Sequence, residues 1–110
     1  MFPFQVINLP GFPKTEYKGE TGSAYYQTFE SQGLRIRIVE YSVGYLADHW
    51  CEKGHIVYCL EGTFISELSN GQKFTLTKGM TYLVSDNLSS HRSFSLTGVK
   101  LLIIEGSFLQ

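Results

Sequence analysis

Gly44-Tyr45-Leu46-Ala47-Asp48-His49-Trp50-Cys51-Glu52-Lys53-Gly54-His55-Ile56-Val57-Tyr58-Cys59-Leu60-Glu61-Gly62 is the stretch on which the reading of this chain turns. Two β-like runs, Tyr45 to Cys51 and His55 to Glu61, flank the turn signal Glu52-Lys53-Gly54, and a glycine stands at each outer end. Side chains alternate between the faces of a strand, so His49 and Cys51 project together while Asp48 and Trp50 project the other way. A tight antiparallel return would bring His55 back beside Cys51. At that separation an imidazole and a thiolate can share one ion.

The same texture extends in both directions. Before the stretch, Ala24 to Glu30 and Leu34 to Ser42 are β-like runs joined by Ser31-Gln32-Gly33, and Leu34, Ile36 and Ile38 alternate against Arg35, Arg37 and Val39. After it come Thr63 to Ser69, Gln72 to Thr77, Met80 to Ser85, His91 to Leu96 and Val99 to Glu105. Asn70-Gly71 predicts a type I′ hairpin turn, which needs positive φ at both central residues. Residues 1–22 carry Pro3, Pro10 and Pro13, each lacking the donor a ladder needs, and are expected to form an irregular arm or one edge strand. Residues 23–110 then make one barrel. So many short strands at this spacing predict an all-β sandwich or barrel, whose closure would remove exposed edges.

Composition limits the partners. The 110 residues suit one domain, and eight Phe and seven Tyr favour strands. A net charge of -1 leaves no basic surplus for phosphate, so nucleic acid is not expected. No run approaches the ~20 apolar residues of a membrane helix, and no secretory signal is visible, so a cytoplasmic protein without a membrane partner is expected. Cys51 and Cys59 do not make a disulfide framework.

The chain has three histidines, and each stands where a run meets a turn. His91 opens a strand after the polar loop Asp86 to Ser90; if that strand pairs nearby, His49, Cys51, His55 and His91 converge. Imidazole suits Zn, Fe, Ni and Cu, and a thiolate tilts the choice towards softer or borderline ions. Cys51 is either a ligand or a small buried hydrophobe. Cys59 shares the parity of His55 but lies about 13 Å further along the strand, and is expected in the core. Asp48 and Glu52 either orient a ligand imidazole or are solvated loop charges. Trp50 and Tyr58 are expected to pack against another layer or a partner subunit. Arg92 either meets an anion at the mouth or is an exposed strand residue, and Arg35 and Arg37 are expected to be solvated.

Gly44…His49-x-Cys51-x3-His55-x6-Gly62 resembles the first cupin motif, and Gly79, Met80 to Val84 and His91 resemble the second. Asp48-His49-Trp50-Cys51 is similar to the signature of short bacterial cupins named for an Asp-His-Cys-Trp motif. The resemblance covers nearly the whole chain. It implies a double-stranded β-helix, or jelly-roll barrel, with a divalent metal (Zn, Ni, Fe or Cu) at its mouth. The ligand set is changed: Cys51 stands where cupins place a second His, and His55 where they place Glu. Gly44 stands one residue nearer His49 than the motif has it, Ser85-Asp86-Asn87 lacks Pro and Gly, and His91 falls one residue late. Activities that depend on a carboxylate ligand therefore do not carry over. The resemblance also suggests a homodimer. The expectation is a metal-binding cupin acting on a small molecule; the alternatives are a metal-free module for a sugar or organic acid, and a structural or regulatory dimer.

Overall fold

The computed structural model describes residues 2–110 and contains nine strands. They are β1 (Thr15–Lys18), β2 (Ser23–Ser31), β3 (Leu34–Tyr41), β4 (Tyr45–Leu46), β5 (His55–Leu68), β6 (Lys73–Thr77), β7 (Thr81–Val84), β8 (His91–Ser95) and β9 (Val99–Glu105). Two single-turn 3-10 segments, Leu9–Gly11 and Ser107–Leu109, are the helical elements. All pairings are antiparallel. The expected jelly roll is the fold found.

Two sheets face one another, and β5 belongs to both. Its first half lies between β9 and β7 in a sheet that continues through β3 and β2 to the edge strand β1. Its second half lies between β6 and β8, with β4 beyond β8. The sequence reading split β5 at Gly62. The chain instead crosses from sheet to sheet there through a register shift between Cys59 and Glu61. Gly62 takes φ +86, and a Cβ on it would lie 2.5 Å from the Gly98 carbonyl oxygen, so only glycine fits the crossing.

Two other local expectations are corrected. Only Tyr45–Leu46 of the run Tyr45 to Cys51 is strand; Cys51 makes a single isolated bridge, to His91. At Asn70-Gly71 only Gly71 has positive φ, so the turn is not type I′. The Asn70 side chain instead accepts from the Gln72 N–H, an Asx turn that serves the hairpin as well.

Alternation along the strands sorts the interior into two zones. Val39, Val57, Cys59, Phe64, Leu76, Val99 and Leu101 fill the space between the sheets at one end. Towards the other end the inward positions become Arg35 and Arg37 on β3, His55 on β5, His91 on β8 and Glu105 on β9. The barrel thus has an apolar floor and a polar mouth.

Candidate metal centre

Strand register builds the polar mouth. β3 places Arg35 opposite Glu105, and Ile56 opposite Ile104 sets His55 next to Glu105 on the inner face. On the other sheet, β5 pairs Leu68 with His91, and the Cys51 bridge to His91 is closed by Cys51 N–H to His91 O at 2.7 Å and His91 N–H to Cys51 O at 3.0 Å. Cys51, His55 and His91 arrive from three separate segments. Sγ and one ring nitrogen from each histidine all lie within 4.8 Å of one another.

His55 and Cys51 do meet, but not by the expected antiparallel return of one run on the next. His55 opens a strand of the first sheet, whereas Cys51 is pinned to β8 of the second. Gly54 makes this connection possible. A Cβ on it would lie 2.6 Å from the Asp86 backbone nitrogen, and its N–H donates to the Asp86 carboxylate.

The imidazoles are oriented by what their Nδ1 atoms touch. His91 Nδ1 lies 2.8 Å from the Ser89 carbonyl oxygen, which can only accept, so Nδ1 carries the proton. His55 Nδ1 lies 3.0 Å from a Glu105 carboxylate oxygen. Burial raises the Glu105 pKa, but the His55 hydrogen bond with Arg37 and Arg35 outweighs this and brings it from 4.5 down to about 2. An ionised carboxylate only accepts, so His55 Nδ1 is likewise protonated. Both rings consequently turn Nε2 towards each other, with the two nitrogens 2.7 Å apart. Two ring nitrogens at that distance need a cation between them, either a proton or a metal ion.

The surroundings favour the metal-binding state at His91 and oppose it at Cys51. Burial lowers the His91 pKa, as does the neighbouring His55, against the opposing pull of the Ser89 carbonyl, so His91 is neutral at neutral pH. Burial raises the Cys51 thiol, which points to the Lys53 carbonyl at 3.9 Å, and its proton would leave on metal binding. The Tyr82 hydroxyl, neutral at pH 7 as any phenol is, lies 3.3 Å from His55 Nε2, and burial raises its pKa further. Two nitrogens and one sulfur converging from fixed tautomers fit a borderline divalent ion. On a tetrahedral ion with bonds of ~2.0–2.1 Å the two nitrogens would stand ~3.3 Å apart, so the rings need part by only about half an ångström.

His49 is not in this group. Its side chain is 74% exposed, and Nδ1 lies 2.6 Å from the Asp48 carboxylate. Asp48 thus faces His49 rather than a member of the convergent triad. Glu52 meets the loop before β8 through its backbone, its carbonyl accepting from Asn87 N–H. Arg92 is neither free nor solvated: it pairs with Glu67 at 3.0 Å and stacks over Trp50 at 4.7 Å. Cys59 is fully buried.

Glu105 is the residue that sequence reasoning missed, and its discovery corrects the expectation that Arg35 and Arg37 are solvated. Arg35 Nε and Arg37 Nη2 donate to one Glu105 oxygen at 2.6 and 3.1 Å, inside the mouth. The signal was present as parity. Val99, Leu101, Ile103 and Glu105 share the inner face of β9, and a carboxylate at a buried position requires cationic partners.

No family model matches the chain, and no curated protein matches it. Solved structures do. A predicted oxalate decarboxylase from Thermotoga maritima superposes with a TM-score of 0.77 at 14% identity, covering 91% of this chain and 96% of that one. The EutQ protein of Clostridium difficile gives 0.73 at 15% identity, over 92% and 85%. A cupin domain from Bordetella pertussis gives 0.63 at 16% identity, over 84% and 98%. At these identities the likeness speaks to architecture, and the architecture is that of a small cupin barrel.

Proposed function

We propose that this protein is a metal-binding cupin whose divalent ion is held by Cys51 Sγ, His55 Nε2 and His91 Nε2, and that it acts on a small molecule at the barrel mouth. The observation that carries the reading is the facing pair of Nε2 atoms, each ring fixed by an acceptor on its far side. Glu105 and the Ser89 carbonyl are the groups that would aim the two imidazoles. Such a three-ligand ion keeps an open position and supplies Lewis acidity when bound. The chain's own contribution is a cleft of about 660 Å³ reaching from the triad to the arginine pair, large enough for a small metabolite. Zn, Ni, Fe and Cu all suit the donor set. Asp48-His49-Trp50-Cys51 supports placing the chain with the Asp-His-Cys-Trp cupins.

Elemental analysis of untagged protein tests this. About one equivalent of a transition metal is expected, lost in His55→Ala/His91→Ala and retained in His49→Ala. Substoichiometric metal that the double variant leaves unchanged would sink the reading. A metal-free binding module is the second reading, favoured by the 2.7 Å contact, which a shared proton also satisfies. It predicts ligand-induced thermal stabilisation indifferent to chelator.

We propose too that two copies pair. Leu83, Ile56, Ile104 and Ile36 form an apolar row across neighbouring strands on the outer face of the first sheet. Light scattering should return twice the chain mass; a monomer at micromolar concentration would remove this proposal.

A further inference from the structure

The charge on the wall of the mouth runs against the charge of the chain. The whole protein carries -1, yet five cations, Lys18, Arg35, Arg37, Lys53 and Arg92, line the cavity against three carboxylates, Glu30, Asp48 and Glu105. Two of those cations are answered from outside it, Lys18 by Glu16 and Arg92 by Glu67. The deep wall is different. There Arg35 and Arg37 share the single carboxylate of Glu105, whose second oxygen is taken by His55. This trio keeps one positive charge in a partly desolvated place; Glu30 stands opposite Arg35 on β2, but among the described residues no carboxylate besides Glu105 pairs with either arginine within 4.0 Å.

Arg37 is the residue this leaves short. Its side chain is only 17% exposed, its Nη2 makes its hydrogen bond to Glu105, and its Nε is buried with no acceptor. Its guanidinium lies 4.8 Å from the ring centre of Tyr26, which holds the plane fixed. Buried guanidinium donors are ordinarily satisfied, and an anion against the remaining edge would offset by charge what no protein acceptor offsets directly. The phenols of Tyr26, Tyr41, Tyr45 and Tyr82 line the same cavity and, like any phenol, are neutral at pH 7. Cation, fixed plane and neutral hydroxyls describe a receptor for an acceptor-rich, negatively charged, partly apolar molecule.

We infer that the mouth binds a small carboxylate, its carboxyl group against Arg37 and its body over the tyrosine wall beside Cys51, His55 and His91. The inference deepens the reading of the mouth as a small-molecule site, but the anion contact is made by residues other than the proposed metal ligands. A carboxylate is favoured over a phosphate because the trio offers one net positive charge, and because the planar fork of arginine matches a planar carboxylate.

The test compares acetate, malonate and succinate with malonamide, succinamide and inorganic phosphate, at fixed ionic strength, by thermal shift and calorimetric titration. Each is run on metal-loaded and chelator-treated protein, with metal content measured in parallel. Carboxylates should stabilise and titrate, and the amides should not. Arg37→Gln should weaken carboxylate binding at least about tenfold, and Arg37→Lys less, since it keeps the charge and loses the fork. Equal responses to acids and amides, no response to either, or a response to phosphate alone would overturn the inference. So would undiminished carboxylate binding by Arg37→Gln with a native circular dichroism spectrum. If that variant does not fold, the acid-amide comparison on the wild-type chain decides. Carboxylate binding without stoichiometric metal defeats the metal reading and leaves this one standing; stoichiometric metal with no acid-amide difference does the reverse.

Discussion

Glu105 does more than any other single residue to organise the mouth, because one carboxylate serves two guanidiniums and an imidazole. Its pKa is lowered in the fold, from 4.5 to about 2, so its stabilisation is complete above about pH 4.5 and is lost as pH falls towards 2. The linkage is about 3 kcal/mol over that window. Glu105→Gln should lose a comparable amount at pH 7 and should show a flatter stability profile between pH 4.5 and 2. Urea midpoints measured at half-unit pH steps would read both effects, and parallel profiles for the two proteins would deny Glu105 this role. At the same scale, Cys51→Ser should weaken metal binding without removing the imidazole pair. Metal affinity of the wild type should rise with pH, because binding displaces the thiol proton. A metal titration at two pH values checks it.

Among the elements, β5 and the 47–54 connection decide where the site residues go. Phe64, 1% exposed just beyond the crossing, packs both sheets, and Phe64→Ala should cost about 3–5 kcal/mol in denaturant unfolding. Gly54→Ala should cost about 1–3 kcal/mol by pushing against the Asp86 backbone, and should also weaken metal binding, since residue 54 leads into His55. A metal titration of this variant indistinguishable from wild type would show that the connection does not set the His55 position. Much of this level was legible beforehand. Turn residues and alternation marked most of the strands, and motif spacing brought Cys51, His55 and His91 to attention. Parity failed for His49, because residues 47–50 are not strand and alternation holds only where the backbone is extended. It misled for Arg35 and Arg37 for the opposite reason. That strand alternates faithfully, but its charged face turns inward, and polarity alone assigned the face to solvent. Only pairing with β9, a long-range fact, brings Glu105 to meet it.

Across the molecule, the fold was readable because it repeats one local rule, strand and turn, over the whole length. The cavity was not, since no single segment encodes it. Its wall draws on both sheets. One prediction belongs to this scale. A divalent ion bound to the native protein should raise its unfolding free energy by about 2.7 kcal/mol at a hundredfold excess over Kd. Scanning calorimetry with and without chelator would show it, and the same shift in His55→Ala/His91→Ala would place the ion elsewhere.

The crossing strand carries a kinetic consequence. β5 pairs with β6, β7, β8 and β9, and its partners lie up to about fifty residues away along the chain. Neither sheet can be completed before it is in place, so a half-built barrel with one intact sheet is not available as a resting state. His55 is the first residue of this strand and His91 begins one of its neighbours. The slowest-exchanging amides should therefore be those of β5, and protection that ends at His55 would set the mouth apart from the floor.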